Sequence, residues 1–146
     1  MIGWGVYSAD LLAALTGAPN TPSAPIKDLN LSTKTSIAIE WASVADNSGE
    51  SGGLITGYRV YMAKDSDGSY VQLFDGKDFR TIVTFIADDL DTGRFYRFRI
   101  SAFNFNGESE MSPEIETYAC LAPSKMAAPV RVTSSLTEFT LSWEEP

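Results

Sequence analysis

Between Leu90 and Asn104 the chain reads Leu-Asp-Thr-Gly-Arg-Phe-Tyr-Arg-Phe-Arg-Ile-Ser-Ala-Phe-Asn, and the period of its apolar residues leaves little choice of structure. Tyr96, Phe98, Ile100 and Ala102 alternate with Arg97, Arg99, Ser101 and Phe103, which is the two-residue repeat of a strand with one face buried. A helix would scatter both sets around its circumference. Upstream, Leu90 and the turn Asp91-Thr92-Gly93 place an apolar anchor six residues before Tyr96. A tyrosine entering a strand there buries its ring and bonds its hydroxyl back to the turn backbone, an arrangement known as a tyrosine corner.

Other segments carry the same signal at short spacing. A first strand, A, carries Ile26, Leu29 and Leu31, and strand B runs from Ser36 to Trp41 with Ile37, Ile39 and Trp41 inward. Strand C spans Tyr58 to Ala63 with Tyr58, Val60 and Met62 inward, C′ spans Tyr70 to Phe74, E spans Thr81 to Ile86, F is the stretch above, and G covers about Ser112 to Ala119. The stretch Asp46 to Gly53 is too rich in Gly, Ser, Asn and acids to order itself as an element and reads as the loop between B and C. Seven short strands without helices predict two antiparallel sheets packed face to face, A-B-E against C′-C-F-G. Trp41, Tyr58, Val60, Leu90, Tyr96, Phe98 and Ile100 are the expected core. Trp41 and Tyr96 could also line an aromatic ligand pocket, but burial of such rings is worth ~2 to 3 kcal/mol each, which favours the core.

Leu90, Gly93, Tyr96, the alternating apolar residues through Ala102, and then Asn104 and Gly107 closely resemble the F strand of a fibronectin type III domain. The resemblance covers nearly the whole chain and implies an all-β, immunoglobulin-like, seven-stranded sandwich. Neither Arg-Gly-Asp nor the Trp-Ser-x-Trp-Ser box occurs, so two familiar functions of that family are not implied.

An internal repeat sets the domain organisation. Ala18-Pro19 aligns with Ala122-Pro123 and Ala24-Pro25 with Ala128-Pro129 at an offset of 129 − 25 = 104, while Thr35, Ile37, Ile39 and Trp41 align with Thr137, Phe139, Leu141 and Trp143 at 143 − 41 = 102. Residues 1–18 thus read as the last strand of a preceding repeat, 19–24 as a linker, 25–121 as a complete domain, 122–128 as a second linker and 129–146 as the first strands of a following repeat. The chain is accordingly expected to be a segment of a longer polypeptide. A competing reading makes Ser8 to Leu15 a short helix, with Ser8 as N-cap and Gly17 after its end. The proline-punctuated linkers are expected to hold neighbours semi-rigidly end to end.

The charge balance and side-chain inventory narrow the function. Lys and Arg number 11 against 19 acids, a net of −8, so nucleic acid and acidic membrane surfaces are poor general partners. Without histidine the commonest general base and nitrogen ligand are missing, and no catalytic triad, Cys-His pair or paired-carboxylate site can be assembled. The single Cys120 makes no intrachain disulfide, no apolar run approaches a membrane span, and the first residues lack the pattern of a secretory signal. Asp65-Ser66-Asp67-Gly68 begins like a calcium loop but lacks the closing glutamate, so it reads as a hairpin turn. Asp88, Asp89 and Asp91 form a denser acidic cluster beside the tyrosine corner. No cofactor and no resident metal are expected.

Two features remain as candidate sites. Arg59, Arg97 and Arg99 share the outward parity of C and F with Tyr61 and Phe103, and Glu114 and Glu116 match them on G. They are expected to form a cross-strand ladder with arginine stacked on Tyr61, the alternative being a ligand-binding face. Asn30-Leu31-Ser32 is an N-glycosylation sequon, and an inward Leu31 would turn Asn30 to solvent. The resemblance implies a structural or adhesive, non-catalytic module of a repetitive extracellular or cell-surface protein. Its expected partners are neighbouring repeats and other copies, without membrane insertion by this segment. A ligand-binding receptor ectodomain using the B-C and F-G loops, an accessory spacer attached to an enzyme elsewhere in the chain, and an intracellular cytoskeletal array remain the alternatives.

Overall fold

A computed structural model of the chain describes residues 17–46, 53–66, 68–122 and 125–145. The helix reading of Ser8 to Leu15, all but the last two residues of the strand reading of 1–18, and most of the loop between B and C lie outside the described residues. Among the described residues ten strands follow in order: β1 (Ile26–Asp28), β2 (Ile37–Glu40), β3 (Gly57–Lys64), β4 (Val71–Gly76), β5 (Thr84–Ala87), β6 (Phe95–Asn104), β7 (Gly107–Glu108), β8 (Ile115–Tyr118), β9 (Val130–Ser134) and β10 (Phe139–Ser142). One antiparallel sheet has the order β1-β2-β5, and the other runs β4-β3-β6 with β7 and β8 both paired to the far edge of β6. The two sheets close a β-sandwich around one apolar core.

The longest pairing fixes the core. Tyr58, Val60 and Met62 on β3 stand opposite Ala102, Ile100 and Phe98 on β6. Val60, Phe98, Ile100 and Ala102 are 0 % exposed, Tyr58 1 % and Tyr96 2 %. From the opposite sheet Ile37, Ile39 and Trp41 complete the filling, and Trp41 meets the Tyr58 ring edge-on with centroids 5.7 Å apart. Edge-to-face geometry suits the ring quadrupoles and adds to the gain from burial.

At the start of β6 the Tyr96 hydroxyl accepts a hydrogen bond from the Asp91 amide at 2.9 Å, and Leu90 is buried beneath the turn. Gly93 takes φ +76°, a conformation open to glycine at little cost. Its amide donates to the Ala119 carbonyl at 2.8 Å, so the turn before β6 is also tied to the end of β8.

Strand A departs from expectation. It ends at Asp28, and Leu29 and Leu31 lie in a turn at 69 % and 54 % exposure, so Leu31 does not point into the core. The cause is local: the Asp28 carboxylate accepts the amides of Asn30 at 2.8 Å and Leu31 at 3.3 Å, an Asx turn that competes with strand pairing. Asn30 is exposed nonetheless.

Strand G is divided. Between β7 and β8, Ser109 Oγ accepts the Ala102 amide at 3.0 Å and Ser112 Oγ accepts the Ile100 amide at 3.1 Å. Serine side chains thus replace carbonyls in the ladder, and Pro113 has no amide to donate.

After the sandwich, β9 and β10 form a hairpin whose residues are all exposed. It repeats the first two rungs of the β1-β2 pairing, Val130 opposite Ser142 and Arg131 opposite Leu141 as Ile26 is opposite Glu40 and Lys27 opposite Ile39, before a register shift between Thr140 and Leu141. The hairpin turn repeats as well. Ser135 N–H donates to Glu138 O at 2.7 Å and Thr137 N–H to Ser135 Oγ at 3.3 Å, matching Thr33 N–H to Ser36 O at 3.0 Å and Thr35 N–H to Thr33 Oγ1 at 3.2 Å.

Candidate functional site

The outer face of the β4-β3-β6 sheet gathers three arginines and their acidic partners into two clusters. In the first, Arg59 on β3 donates to Glu108 Oε2 and to Asp75 Oδ2, both at 2.9 Å, while its guanidinium lies 4.3 Å from the centroid of the Phe103 ring. Glu108 Oε1 accepts the hydroxyls of Tyr61 at 2.6 Å and Ser101 at 2.5 Å. This lattice explains why Ser101 and Phe103, outward by parity, are only 0 % and 5 % exposed. The Arg59 hydrogen bond holds the Asp75 carboxyl below its ordinary range, and partial burial together with Glu108 pushes the Tyr61 phenol up.

In the second cluster Glu114 is the hub. It accepts the Tyr70 hydroxyl and pairs with Arg99 at 3.3 Å and Arg97 at 3.5 Å. Both guanidiniums lie over the Tyr70 ring, at 5.0 and 5.3 Å. Arg97 also donates to the carbonyls of Asp65 at 3.0 Å and Gly68 at 2.9 Å, clamping the turn between β3 and β4. The Tyr70 hydrogen bond, followed by Arg99, holds the Glu114 carboxyl below its usual value.

The expected ladder residues Arg59, Arg97, Arg99 and Glu114 therefore meet partners on this face, but not as a single rung system. Glu116, in register with Arg97, stays exposed with no ion pair among the described residues. The stacking ring is Phe103 or Tyr70, and Tyr61 binds a carboxylate instead. Sequence reasoning missed Tyr70, Asp75, Ser101 and Glu108. The alternation of Arg59 and Tyr61 with apolar residues places both on this face, but the bulge between Arg59 and the hairpin turn hides that Asp75 lies opposite Arg59 on β4. Each of Arg59, Arg97 and Arg99 has at least one protein acceptor on this face, while Arg59 Nε and Arg99 Nε are buried without a partner.

The acidic turns are likewise engaged. Asp91 pairs with Lys64, Asp65 with Arg94 at 3.5 Å, and Asp46 with Arg80 at 2.9 Å while it accepts the Ile55 amide at 3.1 Å. Among the described residues no three acidic or cysteine side chains converge as metal ligands. Cys120 is a free, exposed thiol, and Lys27 reaches across from β1 to donate to the Tyr118 carbonyl at 2.7 Å beside it.

A concave patch lies at the end of the sandwich where β6 turns into β7. Its volume is about 370 Å³, bounded by Thr56, Lys77, Asp78 and the run Phe103 to Gly107. Phe105 at its rim is 78 % exposed. The patch combines an aromatic surface with short polar groups but brings no nucleophile and base together.

Comparison with known proteins agrees with this geometry. The family model for the fibronectin type III domain matches residues 23–118. Mouse fibronectin type-III domain-containing protein 3A is 27 % identical over 139 residues, covering 94 % of this chain and 11 % of the mouse protein. The Caenorhabditis elegans tyrosine-protein phosphatase Lar-like is 30 % identical over 120 residues, 77 % of this chain and 5 % of that protein. The chain thus spans about a tenth or less of these relatives. Among solved structures, the fibronectin type-III domain of human fibronectin type III domain containing protein 3 superposes with a TM-score of 0.53 at 21 % identity, covering 79 % of this chain and 94 % of that domain. Titin domains A168-A170 superpose with a TM-score of 0.53 at 20 % identity, covering 68 % of this chain and 32 % of theirs. With its sandwich, its tyrosine corner and a family match over residues 23–118, the chain belongs to the fibronectin type III family.

Proposed function

We propose that the chain is a non-catalytic structural or adhesive module of a tandem-repeat protein, one bead in an extracellular or cell-surface filament, matrix or stalk. Its partners in this reading are the adjacent repeats and other copies of the assembly, and the segment itself does not insert into a membrane. The observation that carries the reading is the recurrence, after the sandwich, of the β1-β2 pairing and its hydrogen-bonded turn in β9 and β10. In that hairpin Phe139, Leu141 and Trp143 alternate along and just past β10 at 71 %, 40 % and 64 % exposure, an apolar face of the kind that further strands of a second sandwich cover. A face of this kind is costly to leave in water, so a continuing repeat is its natural complement.

The test is mechanical. Pulled from its ends in a force microscope, the parent polypeptide should extend in a series of equal contour-length steps, one for each domain of this size. Absence of such a series overturns the array. Localisation has a separate test, because exposed Asn30 in its sequon is accessible to glycosylation. A glycan found there by mass spectrometry excludes the intracellular alternative, which exposed Cys120 otherwise suits.

The concave patch and exposed Phe105 favour a second reading, a ligand-binding ectodomain. Strong divergence of 105–107 and of the loop between β2 and β3 among repeats of the parent would support it. Near-identity of those loops supports the scaffold.

A further inference from the structure

The chain enters and leaves the sandwich at opposite ends of β6. Where that strand ends, Asn104 donates from Nδ2 to the Gly17 carbonyl at 2.7 Å. Where it begins, Gly93 N–H donates to the Ala119 carbonyl at 2.8 Å and Ala119 N–H to the Arg94 carbonyl at 3.0 Å, so the chain departs beside the turn before β6. The ten residues of β6 separate the two points by about 30 Å. A neighbour attached before Gly17 therefore meets the end where β6 turns into β7, and one attached after Leu121 meets the other.

The entry end carries a hook and an apolar surface side by side. Asn104 is 5 % exposed, and both ends of its amide are used: Nδ2 holds the entering chain at Gly17, and Oδ1 accepts the Asn106 amide at 2.8 Å. One buried side chain thus fixes the incoming backbone against the turn on which Phe105 stands 78 % exposed. Asn104 and Phe105 both border the concave patch, with Phe103 and Thr56 beside them. The point of attachment and the uncovered ring are adjacent residues of one surface.

Covalent attachment decides between occupants. A segment joined at the rim competes for the patch at an effective concentration of the order of millimolar, as short connections give. A soluble ligand at about micromolar concentration must bind roughly a thousandfold more tightly to displace it. A second copy of the chain meets the same handicap.

We propose that the patch around Phe103, Asn104 and Phe105 is the seat of the preceding repeat, the one whose last strand the residues before Gly17 represent. The exit end of that repeat packs on Phe105, and Asn104 holds the crossing. The proposal rests on the tandem-array reading and names the surface on which one module meets the one before it. Phe105 is then covered inside the array, and the patch is open to a ligand only in a module with no repeat before it.

Hydroxyl-radical footprinting read by mass spectrometry compares the parent polypeptide with the 146-residue chain. Phe105 should be oxidised several-fold more slowly in the parent, while Met111, 39 % exposed between β7 and β8, reacts equally in both. Phe105→Ala should leave the urea midpoint of the 146-residue chain unchanged and speed proteolytic cleavage near Gly17 in the parent several-fold. Equal oxidation of Phe105 in the two proteins, or unchanged cleavage in Phe105→Ala, overturns the proposal and leaves the array intact. A parent with no repeat before Gly17 overturns the array and this proposal with it. Protection that appears only when the 146-residue chain is concentrated assigns the patch to a second copy, and protection that needs an added soluble protein assigns it to a ligand; either overturns the proposal.

Discussion

Replacing Tyr96 by Phe isolates one atom of the tyrosine corner. The ring is 2 % exposed and remains in place in phenylalanine, so the change removes only the hydroxyl that accepts the Asp91 amide at 2.9 Å. A net hydrogen bond is worth about 0.5–1.5 kcal/mol, and an orphaned donor costs more only if water cannot reach it. Asp91 is exposed, which allows water to replace the lost acceptor and sets the expected cost near 1 kcal/mol. For a domain of this size that lowers Tm by roughly 4–8 °C. Tyr96→Ala instead empties a core site and should cost about 3–5 kcal/mol. Urea unfolding followed by circular dichroism measures both, with the denaturant slope unchanged if only the native state is affected. An unaltered midpoint in Tyr96→Phe would show that the hydroxyl is not a strut of the turn. A loss as large as that of Tyr96→Ala would show that the ring, and not the bond, had been disturbed.

Three other outcomes follow from the same geometry. Phe98→Ala, at a site 0 % exposed, should cost about 3–5 kcal/mol, much of the 5–15 kcal/mol typical of a domain, and calorimetry should show a weak or absent transition. Gly57→Ala places its Cβ against the backbone carbonyl of Gly76 on the paired strand, so β3 and β4 must separate; amide exchange along β4 should quicken while that of β5 stays unchanged. Asp75 and Glu114 carry folded pKa values below their ordinary 3.8 and 4.5, so their contribution is complete above that range and is lost as pH falls through the lowered values. With no histidine, the urea midpoint should be flat from about pH 5 to 7 and fall below about pH 4.5, less steeply at high salt. A midpoint constant down to about pH 2.5 would contradict that assignment.

Parity along β6 was legible because burial of one face imposes a strict period of two, and a slip of one residue would send Arg97 and Arg99 inward. The outer face was not legible to the same degree. Its acceptors come from three separate connections: Asp75 follows a bulge in the pairing of β3 with β4, Glu108 lies on the two-residue β7, and Glu114 precedes β8. Counting in twos cannot carry a register across a bulge or an irregular segment, so the side chains that cover Ser101 and Phe103 were hidden from it. The strand positions were readable, but their cover was supplied from outside the strand.

Strand A failed for a different reason, and that reason was present in the sequence. Ile26, Leu29 and Leu31 invite an apolar reading, but Asp28 precedes Asn30 by two residues, the spacing at which an aspartate captures the next amides. Capture by a carboxylate gives a charge-assisted bond, whereas an edge strand gains a neutral one on a single side. The turn therefore forms at Asp28, Ser32 folds back to donate its hydroxyl to the Asp28 carbonyl at 2.6 Å, and Ser32 Oγ accepts the Ala38 amide at 3.0 Å. That serine takes the buried place an apolar side chain would otherwise have filled, at 5 % exposure, and Leu29 and Leu31 are left outside. Local polar chemistry thus outweighs apolar content where the strand is an edge and the gain from burial is smallest.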